Sequence, residues 1–319
     1  MVKLIVMIPA YNEERTIGRV IREIPRQING IDKVKVLVID DGSIDRTLEE
    51  AKKAGLDFFI KNNSNKGLGV SFKKGIETSL KLGADIIVNI DGDGQFNPRD
   101  IPRLLQPILI GKADVVTCTR FINKHLTKNM PWLKKWGNRR FTNLISNISG
   151  QRFTDTQCGF RAYNRESALR MNINGKFTYT QEVFLDLIEK GMKIKEVPCE
   201  VRYFRERRSH VSGNLRRYGF RSLGIIARTI RDIKPLTFFG MPALIIFAIG
   251  FLGGLVSFFY WLFEMMTTPI RTLFSVSVFF MIFGLSLAIL ALIADMLRTM
   301  KNNQEEILYR LKKREFDER

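Results

Sequence analysis

The stretch Ala84-Asp85-Ile86-Ile87-Val88-Asn89-Ile90-Asp91-Gly92-Asp93-Gly94-Gln95 decides how this chain reads. Up to Ile90 the run has the Ile and Val content of a buried strand, and it then breaks into carboxylates separated by glycine. On extended backbone, side chains at i and i+2 share one face. Asp91 and Asp93 can therefore meet one hard cation, while Gly92 and Gly94 leave room for a phosphorylated ligand. An acidic turn without an ion is the plain alternative, and the surrounding sequence has to choose.

Outward from this strand, residues 4–9, 34–40, 56–61, 86–90 and 115–119 read as strands, with helices near 16–28, 46–54, 68–82 and 98–110. Short β-rich runs alternating with amphipathic stretches are βαβ units around a mostly parallel sheet, so the expected class is α/β. Asn97 before Pro98 supplies a cap and a first-turn proline. The acidic turn thus falls at the carboxyl end of a strand, the edge of an open α/β sheet where ligands bind.

Two other strand ends are also polar. The first closes in Pro9-Ala10-Tyr11-Asn12-Glu13-Glu14 and the second in Ile39-Asp40-Asp41-Gly42-Ser43. Carboxylates there can accept hydrogen bonds from a base and from ribose hydroxyls, and Tyr11 offers a flat face. Neither a dinucleotide fingerprint nor a P-loop is present. Lys66-Gly67-Leu68-Gly69 opens a helix and reads either as a phosphate contact or, on balance, as an ordinary turn.

The 319 residues accommodate one α/β domain of about 200 to 230 residues plus additional elements. A formal net charge of +19 points to nucleic acid, anionic lipid or a phosphorylated substrate. The basic residues thicken over 124–140 and again over 202–234, the second time directly before an uncharged apolar segment. That placement favours a membrane surface over nucleic acid. Cys118, Cys158 and Cys199 are odd in number and follow no C-x-x-C spacing, so they are predicted to be unpaired thiols on a reducing cytoplasmic side. His125 and His210 fit no metal-ligand pattern. The apolar run 4–8 meets Pro9, Asn12 and two glutamates in place of a cleavage site, and no signal peptide is expected.

Residues 236–263 and 273–294 contain no charged side chain. At about 1.5 Å per residue both exceed the ~30 Å hydrocarbon thickness, and they read as a transmembrane hairpin closed by residues 264–272. Lys and Arg crowd before the first span and recur after the second, whereas the connection has only Arg271. The positive-inside rule then predicts that the α/β domain and both termini are cytoplasmic. The stretch around Trp132, Lys134, Lys135, Trp136, Arg139, Arg140 and Phe141 reads equally as a core helix with a wet face or as an interfacial helix. Residues 215–233 read as an interfacial amphipathic helix. Within the tail, 305–313 looks helical, either as a surface helix or as an oligomer contact.

Four motifs in this order and spacing, PAYNEE at 9–14, IDDGS at 39–43, NIDGDGQF at 89–96 and TDTQCGFRAY at 154–163, resemble the inverting family 2 glycosyltransferases, and within them the dolichyl-phosphate mannose and glucose synthases. The resemblance covers residues 1 to about 215. It implies a GT-A fold, a GDP- or UDP-hexose donor, and Mg2+ or Mn2+ held by Asp91, Asp93 and Gln95. It implies a nucleotide pocket lined by Pro9, Tyr11, Glu13, Asp40 or Asp41, and Asp91. By the same matching, Arg120 falls on the arginine of the acceptor-phosphate site and Lys134 or Lys135 near a second basic contact. The loop from Asp155 through Arg161, Gln157 within it, resembles the acceptor loop, with Glu182 orienting it. Arg205, Arg207 and His210 fall where the family commonly shows an arginine followed by G-x-S-K. Here the glycine is absent and His210 replaces the lysine, and Arg207 is assigned to the donor diphosphate.

The expected protein is a GT-A domain over 1–211, an interfacial helix over 212–235, two spans within 236–296 and a basic tail over 297–319. It would transfer one hexose, mannose or glucose, to dolichyl or polyprenyl phosphate with inversion, using Asp93, Arg120 and Arg207. Membrane lipid and the lipid phosphate are its expected partners, nucleic acid is not, and a homo-oligomer is left open. The competing readings are a processive polysaccharide synthase, which lacks its Q-x-x-R-W segment here, and a silent nucleotide- or lipid-binding scaffold.

Overall fold

The computed structural model describes residues 1–122, 132–172, 179–202, 231–232, 234–265 and 268–317. The chain divides into two compact units, Met1–Arg207 with Ile307–Arg319, and Arg208–Glu306.

The first unit is built on β1 (Lys3–Ala10), α1 (Ile17–Glu23), β2 (Lys33–Asp40), α2 (Thr47–Lys53), β3 (Phe58–Lys61), α3 (Leu68–Lys81) and β4 (Ile86–Asn89). A 3-10 turn, Pro98–Asp100, leads into α4 (Ile101–Leu109), followed by β5 (Val115–Thr119), α5 (Trp132–Ser149), β6 (Arg161–Asn164), α6 (Arg165–Arg170), α7 (Tyr179–Glu189) and β7 (Ile194–Pro198). The strand order is β3-β2-β1-β4-β6-β5-β7. Only β6 runs against its neighbours, pairing antiparallel with both β4 and β5. The chain lays β2 and β3 to one side of β1 and then β4 to the other, so the topological switch point falls between β1 and β4. Their apolar residues, including Leu4, Val6, Ile8, Val88 and Ile90, form the core with Ile17, Ile21, Ile101 and Leu104.

Several elements differ from expectation. The first helix stops at Glu23, because Ile24 precedes Pro25 and takes an extended ψ of 121°. β6 occupies the end of the TDTQCGFRAY motif, where a buried arginine and tyrosine break the apolar pattern. The expectation of three unpaired thiols is overturned, and with it the thiol argument for a reducing side: Cys118 and Cys199 form a disulfide with Cα atoms 5.6 Å apart. β5 and β7 are parallel neighbours, and a partner 81 residues away leaves no local spacing to read. Cys158 remains a buried thiol.

In the second unit, α8 (Pro235–Glu264) and the following helix are long and apolar enough to cross a membrane, and only 17% of the most apolar window of each is buried. That second helix, α9, runs as one piece over Arg271–Asp317, 47 residues. Nothing in 295–317 breaks it, since neither Gly nor Pro occurs there, and Lys301 pairs with Glu305 at 3.6 Å one turn on. α8 and α9 touch through small residues. A Cβ on Gly250 would meet the backbone of Met281 and Ser277 at 2.7 Å, and one on Gly284 the backbone of Phe247 at 2.7 Å. The interfacial stretch read at 215–233 lies largely outside the described residues.

The last turns of α9, from Ile307 on, belong to the first unit. Tyr309 Oη donates to Glu166 at 2.9 Å, and Arg170 stacks over the Tyr309 ring at 4.0 Å. Lys312 Nζ donates to the Met171 carbonyl at 2.8 Å, while Arg165 donates to the carbonyl of Phe316 at 2.8 Å.

Candidate active site

The switch point is shaped by backbone that the sequence makes unable to continue the sheet. Pairing of β1 with β4 ends at Met7 and Asn89. Pro9, two residues beyond, has no N–H to extend it. Past that point one long backbone bond remains, Gly92 N to the Pro9 carbonyl at 3.4 Å, and side chains reinforce it. Thr16 Oγ1 donates to the Gly92 carbonyl at 2.8 Å and lies 3.0 Å from Glu13 Oε2. Gly92 is pressed between Ile17 and Ala10, where a Cβ would sit 3.2 and 3.3 Å from their side chains. Asn12, at a positive φ of 56°, accepts from Ile44 N at 3.1 Å through its side chain, and its N–H donates to Ser43 at 3.0 Å. The PAYNEE and IDDGS turns are thus one hydrogen-bonded rim beside the acidic turn, with Tyr11 exposed on it.

The two aspartates of the second turn have structural partners. Asp40 Oδ1 accepts from Ser43 N at 2.9 Å. Asp41 accepts from Asn62 Nδ2 at 2.8 Å, Lys66 N at 3.0 Å and Gly67 N at 2.9 Å. The Lys66-Gly67 turn at the head of α3 is therefore an ordinary turn whose amides are taken by Asp41. Gly42 lies at φ +78°, and a Cβ there would come within 2.6 Å of Ser64 backbone.

Asp91 and Asp93 are half-buried at the end of β4. Burial, then the charges of Asp93 and Glu13, push the Asp91 carboxyl up to about 7. Asp93 Oδ1 accepts from Gln95 N at 2.9 Å, which curls Gln95 back toward the turn. Crowded carboxylates whose ionisation is disfavoured by one another are relieved by a divalent cation, so this donor set fits one. Among the described residues no three His, Cys, Asp or Glu side chains are placed to hold an ion unaided. The set thus suits an ion that completes its shell with Gln95, ligand oxygens and water.

Arg120 is buried and tied to Asp155 by a bidentate pair, Nε to Oδ2 at 2.6 Å and Nη2 to Oδ1 at 3.0 Å. Asp155 is itself fully buried and also accepts from Asn138 Nδ2 of α5 at 3.1 Å and from Gln157 N at 3.1 Å. Arg161, wholly buried, donates to the Thr156 carbonyl at 2.9 Å and lies over the Phe184 ring at 5.0 Å. Asn89 Nδ2 at the end of β4 donates to the Gly159 carbonyl at 2.8 Å. The 154–159 loop is therefore held to β4, β5 and α5 at once, which brings the Arg120 and Gln157 region to the same carboxyl edge of the sheet as the acidic turn. On α5 the buried face carries Asn138, Phe141, Thr142 and Ile145, while Trp136, Arg139 and Arg140 are exposed, with Lys135 half-exposed. Lys134 and Glu182 lie on α5 and α7. Arg205, Arg207 and His210 fall outside the described residues. Asp155 as an anchor was missed, although it sits inside a quoted motif; its burial was not legible from an acidic residue in a polar loop.

Residues 5–170 match the model of the family described as Glycosyl transferase family 2. The chain belongs to this family. It is 35% identical over 217 residues to the UDP-N-acetylglucosamine--dolichyl-phosphate N-acetylglucosaminyltransferase of Methanococcus voltae, covering 62% of this chain and 84% of that protein. It is 28% identical over 300 residues to glycosyltransferase AglJ of Haloferax volcanii, covering 94% and 95%. Dolichyl-phosphate hexose transferase of the same organism is 32% identical over 199 residues, 62% of this chain and 82% of that one. Among solved structures, glucosyl-3-phosphoglycerate synthase from Mycobacterium tuberculosis with uridine diphosphate superposes with a TM-score of 0.54 at 23% identity, covering 72% of this chain and 79% of that one. The fold is GT-A, and the protein is a glycosyltransferase.

Proposed function

We propose that this glycosyltransferase moves a single sugar from a nucleoside-diphosphate donor to a polyprenyl phosphate at a membrane surface, with inversion. The observation that carries the reading is the acidic Asp91-Gly92-Asp93-Gly94-Gln95 turn at the β1/β4 switch point, on the same sheet edge as the anchored loop of Arg120 and Gln157. Relatives named for dolichyl phosphate support the acceptor class. The two apolar helices support an enzyme that meets a lipid substrate in the bilayer.

In this reading the nucleotide lies against Tyr11, with Pro9, Glu13, Asp40 and Asp91 around it; Asp41 shapes the wall behind. Asp91, Asp93 and Gln95 would hold Mg2+ or Mn2+, which neutralises the diphosphate leaving group when bound. The glucosyl-3-phosphoglycerate synthase of Mycobacterium tuberculosis, of the same fold, is seen in complex with Mn2+ and UDP-glucose together. The acceptor phosphate oxygen is already anionic near neutral pH and attacks the anomeric carbon as the diphosphate departs, so no protein base has to remove a proton. What the chain supplies is positive charge in a fixed direction. Asp155 orients Arg120 for that purpose, with Lys134 or Lys135 and Gln157 beside the acceptor, Glu182 orienting its loop, Arg205 and His210 adding to the basic side, and Arg207 at the donor diphosphate. The sugar is a hexose, mannose or glucose, with N-acetylglucosamine the competing choice from a relative's name. The charge distribution around the two spans supports a cytoplasmic catalytic unit and tail.

The test is incubation of membranes holding the full chain with Mn2+ or Mg2+, polyprenyl phosphate and a donor panel of UDP-glucose, GDP-mannose and UDP-N-acetylglucosamine. Labelled lipid phosphate is the expected product. Labelled polymer would support a polysaccharide synthase instead, and nucleotide binding without product a scaffold.

A further inference from the structure

One segment, residues 196–202, touches both the 154–155 loop beside Arg120 and the acidic turn's last residues. At its start the Glu196 carboxylate, on β7, accepts from Thr154 N at 2.9 Å and Asp155 N at 2.8 Å, and from Thr154 Oγ1 at 3.0 Å. At its middle, Cys199 is bonded to Cys118 of β5, two residues before Arg120, and Cys199 N donates to the Thr119 carbonyl at 3.2 Å. At its end, Val201 bridges Phe96 and Arg202 N donates to the Gln95 carbonyl at 2.8 Å. The segment is a brace between the acidic turn and the 154–157 loop.

We propose that Glu196 is the positioning residue of this brace, acting through Asp155 on Arg120 and so on the acceptor phosphate. Two backbone N–H groups of successive residues converge on one carboxylate, which fixes the direction of the chain entering Asp155. Asp155 has little freedom of its own, since its oxygens already accept from Arg120, Asn138 and Gln157. A shift of the Thr154-Asp155 backbone therefore carries the Arg120 guanidinium with it. The donor side does not depend on Glu196, because the Phe96 and Gln95 contacts are made by Val201 and Arg202 beyond the disulfide. The consequence is a division of effect: loss of Glu196 weakens the acceptor and leaves the donor alone.

This inference rests on the polyprenyl-phosphate reading for its kinetic half, and the experiment separates the two. Wild-type transfer to polyprenyl phosphate, with the panel donor it uses, tests that reading before any variant is made. Glu196→Ala is then expected to raise the KM for polyprenyl phosphate on the order of tenfold, the scale of losing a charge-assisted hydrogen bond, with the donor KM unchanged. Glu196→Gln keeps an oxygen for both amides and is expected to restore the acceptor KM. Glu200→Ala, at an exposed position on the same segment, is the control and moves neither constant. Hydrogen exchange in the full chain, read independently of any substrate, is expected to show faster exchange at the Thr154 and Asp155 amides in Glu196→Ala and wild-type protection in Glu196→Gln. Unchanged exchange in Glu196→Ala overturns the proposal, as does an equal rise in donor and acceptor KM that Gln fails to rescue.

Discussion

At the scale of single residues, the site depends on how each charge is partnered. Arg120 with Asp155 is a buried pair, their side chains 10% and 0% exposed. Asp155→Asn leaves a buried guanidinium facing a neutral amide, and should cost about 3 kcal/mol, read as a lower unfolding midpoint of the full chain in detergent. Asp93→Asn should abolish metal-dependent transfer while the protein remains inserted in the membrane, and activity retained in that variant would remove Asp93 from the ion's ligands. Asp57 shows a paired charge away from the site. Burial acts to raise its carboxyl, but hydrogen bonds from Lys35 and Arg26 and from Val36 N outweigh it and hold the group below the ordinary carboxylate value. A depressed folded value means that the contribution is present above the unfolded value of about 4 and is lost as pH falls through the folded one. Acid unfolding of Asp57→Asn should therefore converge with wild type at low pH and fall short of it near neutrality.

At the scale of elements, glycine position separates contact from mere composition in the helical hairpin. Gly250 approaches the α9 backbone, whereas a Cβ on Gly254 would meet nothing within 4 Å. Gly250→Leu should lower the unfolding temperature in detergent and Gly254→Leu should not, a contrast that helix propensity cannot produce because both lose a glycine. The end of α9 is an integral part of the first unit. Tyr309 is buried against Glu166 and Arg170, and Tyr309→Ala should destabilise that unit by about 3 kcal/mol, the scale of an emptied aromatic site. Faster proteolysis within α6 would report it. The strands up to β5, and most of the helices between them, were legible in the sequence because apolar runs of strand length alternate with helical periodicity. β6 was not, since Arg161 and Tyr163 are buried by partners distant in the chain.

At the scale of the whole molecule, the Cys118–Cys199 link closes a loop of 81 residues of separation. By loop-closure entropy it is worth roughly 4 kcal/mol. The non-reduced protein, denatured, should titrate one thiol, Cys158, and three after reduction, with a lower unfolding temperature in the reduced form. The sequence by itself determined the class of fold, the carboxyl-edge location of the acidic turn and the two apolar helices, because strand length, glycine-separated carboxylates and uninterrupted apolar runs are local properties. Only the tertiary structure decided which charges are partnered. Asp41 turned inward to the Lys66-Gly67 amides, Asp155 became the anchor of Arg120, Glu196 joined the 154–157 loop to β7, and two distant cysteines met across adjacent strands. Each of those outcomes depends on residues dozens of positions apart being brought to one sheet edge, and no spacing along the chain encodes that. The acidic turn is where the two kinds of information meet: its residues were readable in order, and its meaning as a site came from the switch point on which β1 and β4 place it.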